Sequence, residues 1–138
     1  MTTKVINNQI PSSKQSPNTK LPNTKQPFDL ENRTLAFARN VIQPCKETQH
    51  DVIRRELVSQ LVRASGSIGA NYREANDALS QRDFWHRIRI VRREAKEAHY
   101  WLELLISADS TSNSRAKELL QEALELKHIF SSIAQKAP

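Results

Sequence analysis

From residue 29 onward, apolar residues recur at steps of three and four, the spacing that lines one side of a helix with 3.6 residues per turn. Four such runs follow one another. In the first, over about 29–48, Leu35, Ala38, Ile42 and Cys45 carry the rhythm and Asp29 stands where an N-cap belongs. Pro44 falls inside it, removing one backbone donor and crowding the preceding turn, and so predicts a kink or an early end. The second run, from Asp51 to Asn76, sets Ile53, Leu57, Leu61, Ala64, Ile68, Tyr72 and Ala75 on one side. The third, from Ser80 to Ser107, is a seam of Phe84, Ile88, Val91, Ala95, Ala98, Leu102 and Leu105, entered through Ser80 with Asp83 three residues on, a variant of the capping box. After the polar linker at 109–114 the fourth run repeats the rhythm with Ala116, Leu119, Ala123, Leu126, Phe130 and Ile133, and Ser112 or Ser114 is its expected cap.

Helices of about 20 to 25 residues joined by short loops predict an all-α fold, an up-and-down four-helix bundle over 28–138. Glycine use agrees, because the chain holds two glycines and a sheet protein would need more at its turns. Both lie in the segment ASGSIGA at 64–70, where each costs a helix about 1 kcal/mol relative to alanine. Close approach of a neighbouring helix to Ser65, Gly66, Gly69 and Ala70 would offset that cost; a bend with a functional purpose is the other reading. Residues 1–27 carry no such rhythm. They are built from Ser, Asn, Thr, Gln, Lys and Pro, with PNTK at 17–20 and again at 22–25, and bury too little apolar surface to offset their chain entropy. A disordered tail is expected there, serving as a solubilising leader or adding weak attraction to phosphates.

The net charge of +6 is unevenly placed. Of 21 basic residues, Lys4, Lys14, Lys20 and Lys25 belong to the tail, which has no acid, leaving 17 against 15 acidic residues in the bundle. A binding face must therefore come from clustering rather than from the total. The third helix supplies the cluster. On a wheel, Arg82, His86, Arg89, Arg93 and Lys96 fall within a band of roughly 80° opposite the apolar seam, Tyr100 extends it by one turn, and Arg87 and Arg92 flank it. Like charges at these steps repel by a few tenths of a kcal/mol per pair, and no acid interrupts them for about four turns. Arginine matches phosphate in a bidentate way and an adjacent aromatic offers a stacking surface, so RNA or DNA is the expected partner. The competing partner is protein, because Glu118, Glu122 and Glu125 on the fourth helix form an acidic row that could meet these arginines in the same bundle or across subunits.

Catalytic chemistry finds little support. A di-metal bundle needs Glu-x-x-His on two helices and further glutamates; one such spacing occurs, Glu125 to His128. Glu94 and Glu97 lack a histidine at ligand spacing, and phosphate loops, nucleophile elbows and zinc spacings are missing. No enzyme activity, metal or cofactor is expected. The single Cys45 reads as a small buried hydrophobe, with a reactive thiol as the alternative. With no apolar segment long enough for a membrane and no signal-peptide pattern, a cytoplasmic location is expected.

The run LVSQLVRASGSIGANYREA at 57–75, followed by SQRDFWHRIRIVRREAKEAHYWLELL at 80–105, resembles a family of bacterial four-helix bundles. These proteins were first noticed as open reading frames in intervening sequences of 23S ribosomal RNA genes, and the accessory variability determinant of diversity-generating retroelements is similar to them. The likeness rests on Gln60, Ser67, Ile68, the Asn71–Ala75 segment with Glu74, Phe84, Glu94, Glu97, and Trp101 with Leu102. It implies a homopentameric, barrel-like assembly with a basic surface for nucleic acid and, in the retroelement branch, a reverse transcriptase partner. It also places Asn71, Glu74, Glu94 and Glu97, with Trp85 and Trp101, at helix or subunit interfaces, where polar groups fix packing register.

Overall fold

A computed structural model of the chain describes residues 29–47, 51–109 and 113–138. The tail expected over 1–27 lies outside them. Four helices follow in order: α1 (Leu30–Glu47), α2 (Val52–Asn76), α3 (Gln81–Ala108) and α4 (Ser114–Ala134). Each of the last three starts on a side-chain acceptor that satisfies a backbone N–H left open in the first turn. Asp51 Oδ1 accepts from the Arg54 amide at 2.8 Å, and Ser80 Oγ accepts from the Asp83 amide at 3.1 Å. The cap of α4 is Asn113, whose Oδ1 accepts from the amides of Arg115 and Ala116. Ser114 is instead the first residue of the helix, and Ser112 lies outside the described residues. Past Pro44 the first helix continues for three residues and ends at Glu47.

Neighbours in sequence pack side by side, α1 on α2, α2 on α3 and α3 on α4, with α1 closing against α4. That is the up-and-down bundle. Its core is filled from α3 by Ile88, Val91, Ala95, Ala98 and Leu102, from α4 by Leu119, Ala123, Leu126 and Phe130, and from α2 by Leu61, Ala64 and Ile68. The expected seams of α3 and α4 are therefore the buried ones, with Phe84, Leu105 and Ile133 packed at the margin. On α2 the seam begins late, because Ile53 in its first turn is 66% exposed.

On α1 the expected face is wrong by one position. Leu35 and Ile42 are exposed, and the buried residues are Leu30, Phe37 and Val41, together with the polar Arg33 and Thr34. Two apolar stripes run along this helix, and polar residues on the true one disguise it. Arg33 is 2% exposed and is satisfied by α4: its Nε donates to Glu122 Oε2 at 2.7 Å and its Nη2 to Glu122 Oε1 at 2.9 Å and Glu125 Oε1 at 2.7 Å. The hydrogen bond to Glu122 raises the guanidinium pKa above its ordinary value, against the opposing effect of burial.

Thr34 explains one of the two glycines. Its hydroxyl donates to the Leu30 carbonyl at 2.8 Å, and its Oγ1 would lie 3.0 Å from a Cβ placed on Gly69. Close approach of α1 is thus met at Gly69. Gly66 is exposed, with nothing within 4 Å of such a Cβ, so no neighbouring helix approaches it and the expected close packing is not met there.

Two stability measurements follow. In urea denaturation, Gly66→Ala should gain about 0.5 to 1 kcal/mol from helix propensity, whereas Gly69→Ala should fall below the parent protein, because Thr34 is pinned and cannot give way. Arg33→Ala should cost about 3 kcal/mol, the low end for breaking a buried pair since both glutamates keep some solvent contact, and Arg33→Lys should recover only part of it.

Candidate nucleic-acid interface

Burial of the α3 seam fixes what the opposite side presents. Arg82, His86, Arg89, Arg93 and Lys96 are all exposed, Arg92 is half-buried, and Tyr100 is 54% exposed. From Arg82 to Tyr100 this face runs about 27 Å at 1.5 Å per residue. All but its first turn forms an open concavity between His86, Arg89, Arg92, Arg93, Lys96 and Tyr100, edged by Glu97 and Trp101. Tyr100 and Trp101 meet edge to face, their ring centres 5.3 Å apart at 74°.

Acids near this face are already engaged elsewhere. Glu94 is 4% exposed and lies between two arginines: Arg63 Nη1 of α2 is 3.6 Å from Oε1, and Arg93 Nη2 is 3.4 Å from Oε2. Arg63 Nη2 also reaches Glu97 Oε1 at 3.1 Å. Arg63 thus takes up much of the negative charge bordering the stripe, and Glu94 Oε1 accepts no hydrogen bond. Arg93 has this one longer pairing, whereas Arg82, Arg89, Arg92 and Lys96 pair with no acid among the described residues.

The acidic row of α4 does not reach the stripe within the bundle. Glu122 and Glu125 clasp Arg33 of α1 instead, and Glu118 is exposed. Intramolecular pairing of the α3 arginines with this row, one form of the competing reading, is therefore not what the fold builds. The sequence alone missed both Arg33 and Arg63. Arg33 had a signal, since it sits one turn from Leu30 and from Phe37 once the true α1 stripe is chosen.

The remaining expected residues divide between surface and interface. Arg87 turns from the stripe toward α2, its Nη1 donating to Asn71 Oδ1 at 2.8 Å, while Asn71 Nδ2 donates to the Ser67 carbonyl and hydroxyl at 2.9 Å each. Asn71 thereby couples α2 to α3. Glu74 is exposed, with no ion pair or hydrogen bond to a described residue. Trp85 stacks edge-on with Phe84 at 5.0 Å beside Ala75, Ile88 and Ala134; Trp101 packs on the main core with its Nε1 enclosed and unbonded. Cys45 is half-buried, and burial pushes its thiol pKa up, which lowers the thiolate fraction. Among the described residues no group of His, Cys, Asp and Glu is arranged to hold a metal ion, and no helix is long and apolar enough to cross a membrane.

Comparison with known proteins gives this surface a context. No protein with a curated description matches the chain. Among solved structures, a protein of unknown function from the S23 ribosomal protein family of Bacteroides thetaiotaomicron shares the fold with a TM-score of 0.70 and 30% identity, covering 80% of this chain and 98% of its own. The model for the 23S rRNA-intervening sequence protein family matches residues 28–132, a span that includes α1 to α3 and nearly all of α4. The chain belongs to that family.

Proposed function

We propose that this protein is a non-enzymatic, self-associating bundle that binds RNA or DNA without sequence preference through the α3 stripe. The observation that carries this reading is the partition of charge. Arg82, Arg89, Arg92 and Lys96 pair with no acid among the described residues, while Glu94 and Glu97 beside them are held by Arg63, and Glu122 and Glu125 of α4 by Arg33. Such a surface leaves uncompensated repulsion that a polyanion relieves. A phosphate backbone supplies regularly spaced charges along a line, as the stripe does. The stripe offers Arg and Lys but no Asn, Gln, Asp or Glu, so apart from guanine contacts by arginine or lysine its side chains are those that bind phosphate, and contact with the backbone is the expected mode. Self-association, which the family likeness suggests, would set several stripes on one particle and raise avidity without new contacts. A reverse transcriptase partner is suggested for the retroelement branch alone.

The test is Arg89→Ala with Arg93→Ala, assayed by fluorescence anisotropy against unrelated oligonucleotides at several salt concentrations. About four phosphate contacts give log K a slope near −3 to −4 against log salt; losing two should flatten it by about 1.5 and weaken binding of all sequences alike. Absence of binding at low salt, or binding that ignores the substitutions, defeats the proposal. A changed oligomer mass with nucleic-acid retention intact would instead assign the arginines to acids of a partner subunit.

A further inference from the structure

We infer that the polyanion suited to the α3 stripe is a single strand rather than a duplex, with Tyr100 as the platform on which an unpaired base stacks. This rests on the nucleic-acid reading above. Tyr100 lies in the same angular band as Arg82 and Arg93, one turn beyond Lys96, and more than half of it is exposed. An exposed phenol at the end of a cationic row, rather than a further charge, calls for a ligand with both phosphates and open ring faces.

The support beneath Tyr100 strengthens the point. Trp101 is packed against the core and its ring meets that of Tyr100 edge to face, so the phenol has an anchored neighbour while Tyr100 stays more than half exposed and lines the concavity. A ring braced in this way loses less freedom when a base settles on it. The nearest cations are Lys96, about 6 Å back along the helix axis, and Arg93, about 10 Å back, which places phosphate-binding groups beside the stacking surface. In a duplex the base faces are covered by their neighbours, and a phenol can touch only backbone or groove edges. An unpaired strand can lie along the straight stripe and turn a base onto the ring, the arrangement that sequence-tolerant single-strand binders use.

The geometry of α3 also disfavours the usual duplex mode. A recognition helix has to enter a major groove about 12 Å wide, and α3 is flanked by both α2 and α4. Only its outward face is available, and that suits a strand laid across it.

The experiment compares the full chain with Tyr100→Ala and Tyr100→Phe, using a single-stranded oligo(dT) or oligo(U) and a duplex of the same length, by fluorescence anisotropy at fixed salt. Stacking predicts that Tyr100→Ala weakens single-strand binding about tenfold, that Tyr100→Phe retains it, and that duplex binding changes by less than about twofold. The single-strand salt slope should not move, because no phosphate contact has been removed. Equal losses on both ligands, or no loss on the single strand, overturn the stacking role, as does a Tyr100→Ala variant whose altered oligomer mass accompanies the loss. If the parent protein binds neither ligand at low salt, the nucleic-acid reading itself falls. If the arginine variant weakens binding and Tyr100→Ala does not, only the single-strand inference falls.

Discussion

The bundle turns on one guanidinium. Arg33 is buried on α1 at a position that a hydrophobic seam would otherwise occupy, and a buried cation is tolerable only where acids and hydrogen bonds meet it. Glu122 and Glu125, three residues apart on α4, supply both. α1 and α4 share the smallest contact between packed helices, and this clasp is a directional link between them, tying one position of α1 to two of α4. It also has an electrostatic consequence at a distance. Two of the acids that could have answered the basic stripe are consumed on another side of the molecule.

Arg63 has a comparable effect at the α2–α3 boundary. By reaching Glu94 and Glu97 it binds the carboxylates that lie closest to the stripe, and Asn71 draws Arg87 inward to the same boundary. Charges that hold helices together and charges that face outward are thus sorted by position around α3. The outward set is what remains once structural pairing has been met, which is why a chain with a nearly balanced body can still present a strongly cationic face.

Most of this architecture is legible in the residues. The α3 and α4 seams are unambiguous because each has one apolar stripe and polar residues elsewhere, so the period decides the face. α1 defeats the same method: Leu35 and Ile42 form a plausible stripe, while the buried one is interrupted by Arg33 and Thr34, whose burial depends on partners far away in sequence. Pairing of Arg33 with α4 is a tertiary fact that no local pattern contains. Thr34 likewise explains Gly69 only when α1 is brought against α2, and a wheel drawn for either helix alone cannot show it. The stripe was visible because it is local to one helix; the disposition of Arg87, and the engagement of the neighbouring acids, were not.

Repulsion along the stripe is small beside what holds α3 in place. Neighbouring like charges cost a few tenths of a kcal/mol each, whereas burying a residue such as Ile88, Val91 or Leu102 contributes about 1.5 to 3 kcal/mol. The helix can therefore carry the stripe without bending or fraying, since its seam is fully occupied from Ile88 to Leu102. A straight, anchored helix also keeps its cations in fixed axial order, so the ligand does not have to organise the backbone that bears them. The exposed arginine and lysine side chains, with several rotatable bonds each, can adjust to phosphates of differing position. A rigid axis with adaptable tips favours recognition of charge spacing over recognition of base identity, and this is the physical reason to expect tolerance of sequence from the surface that α3 presents.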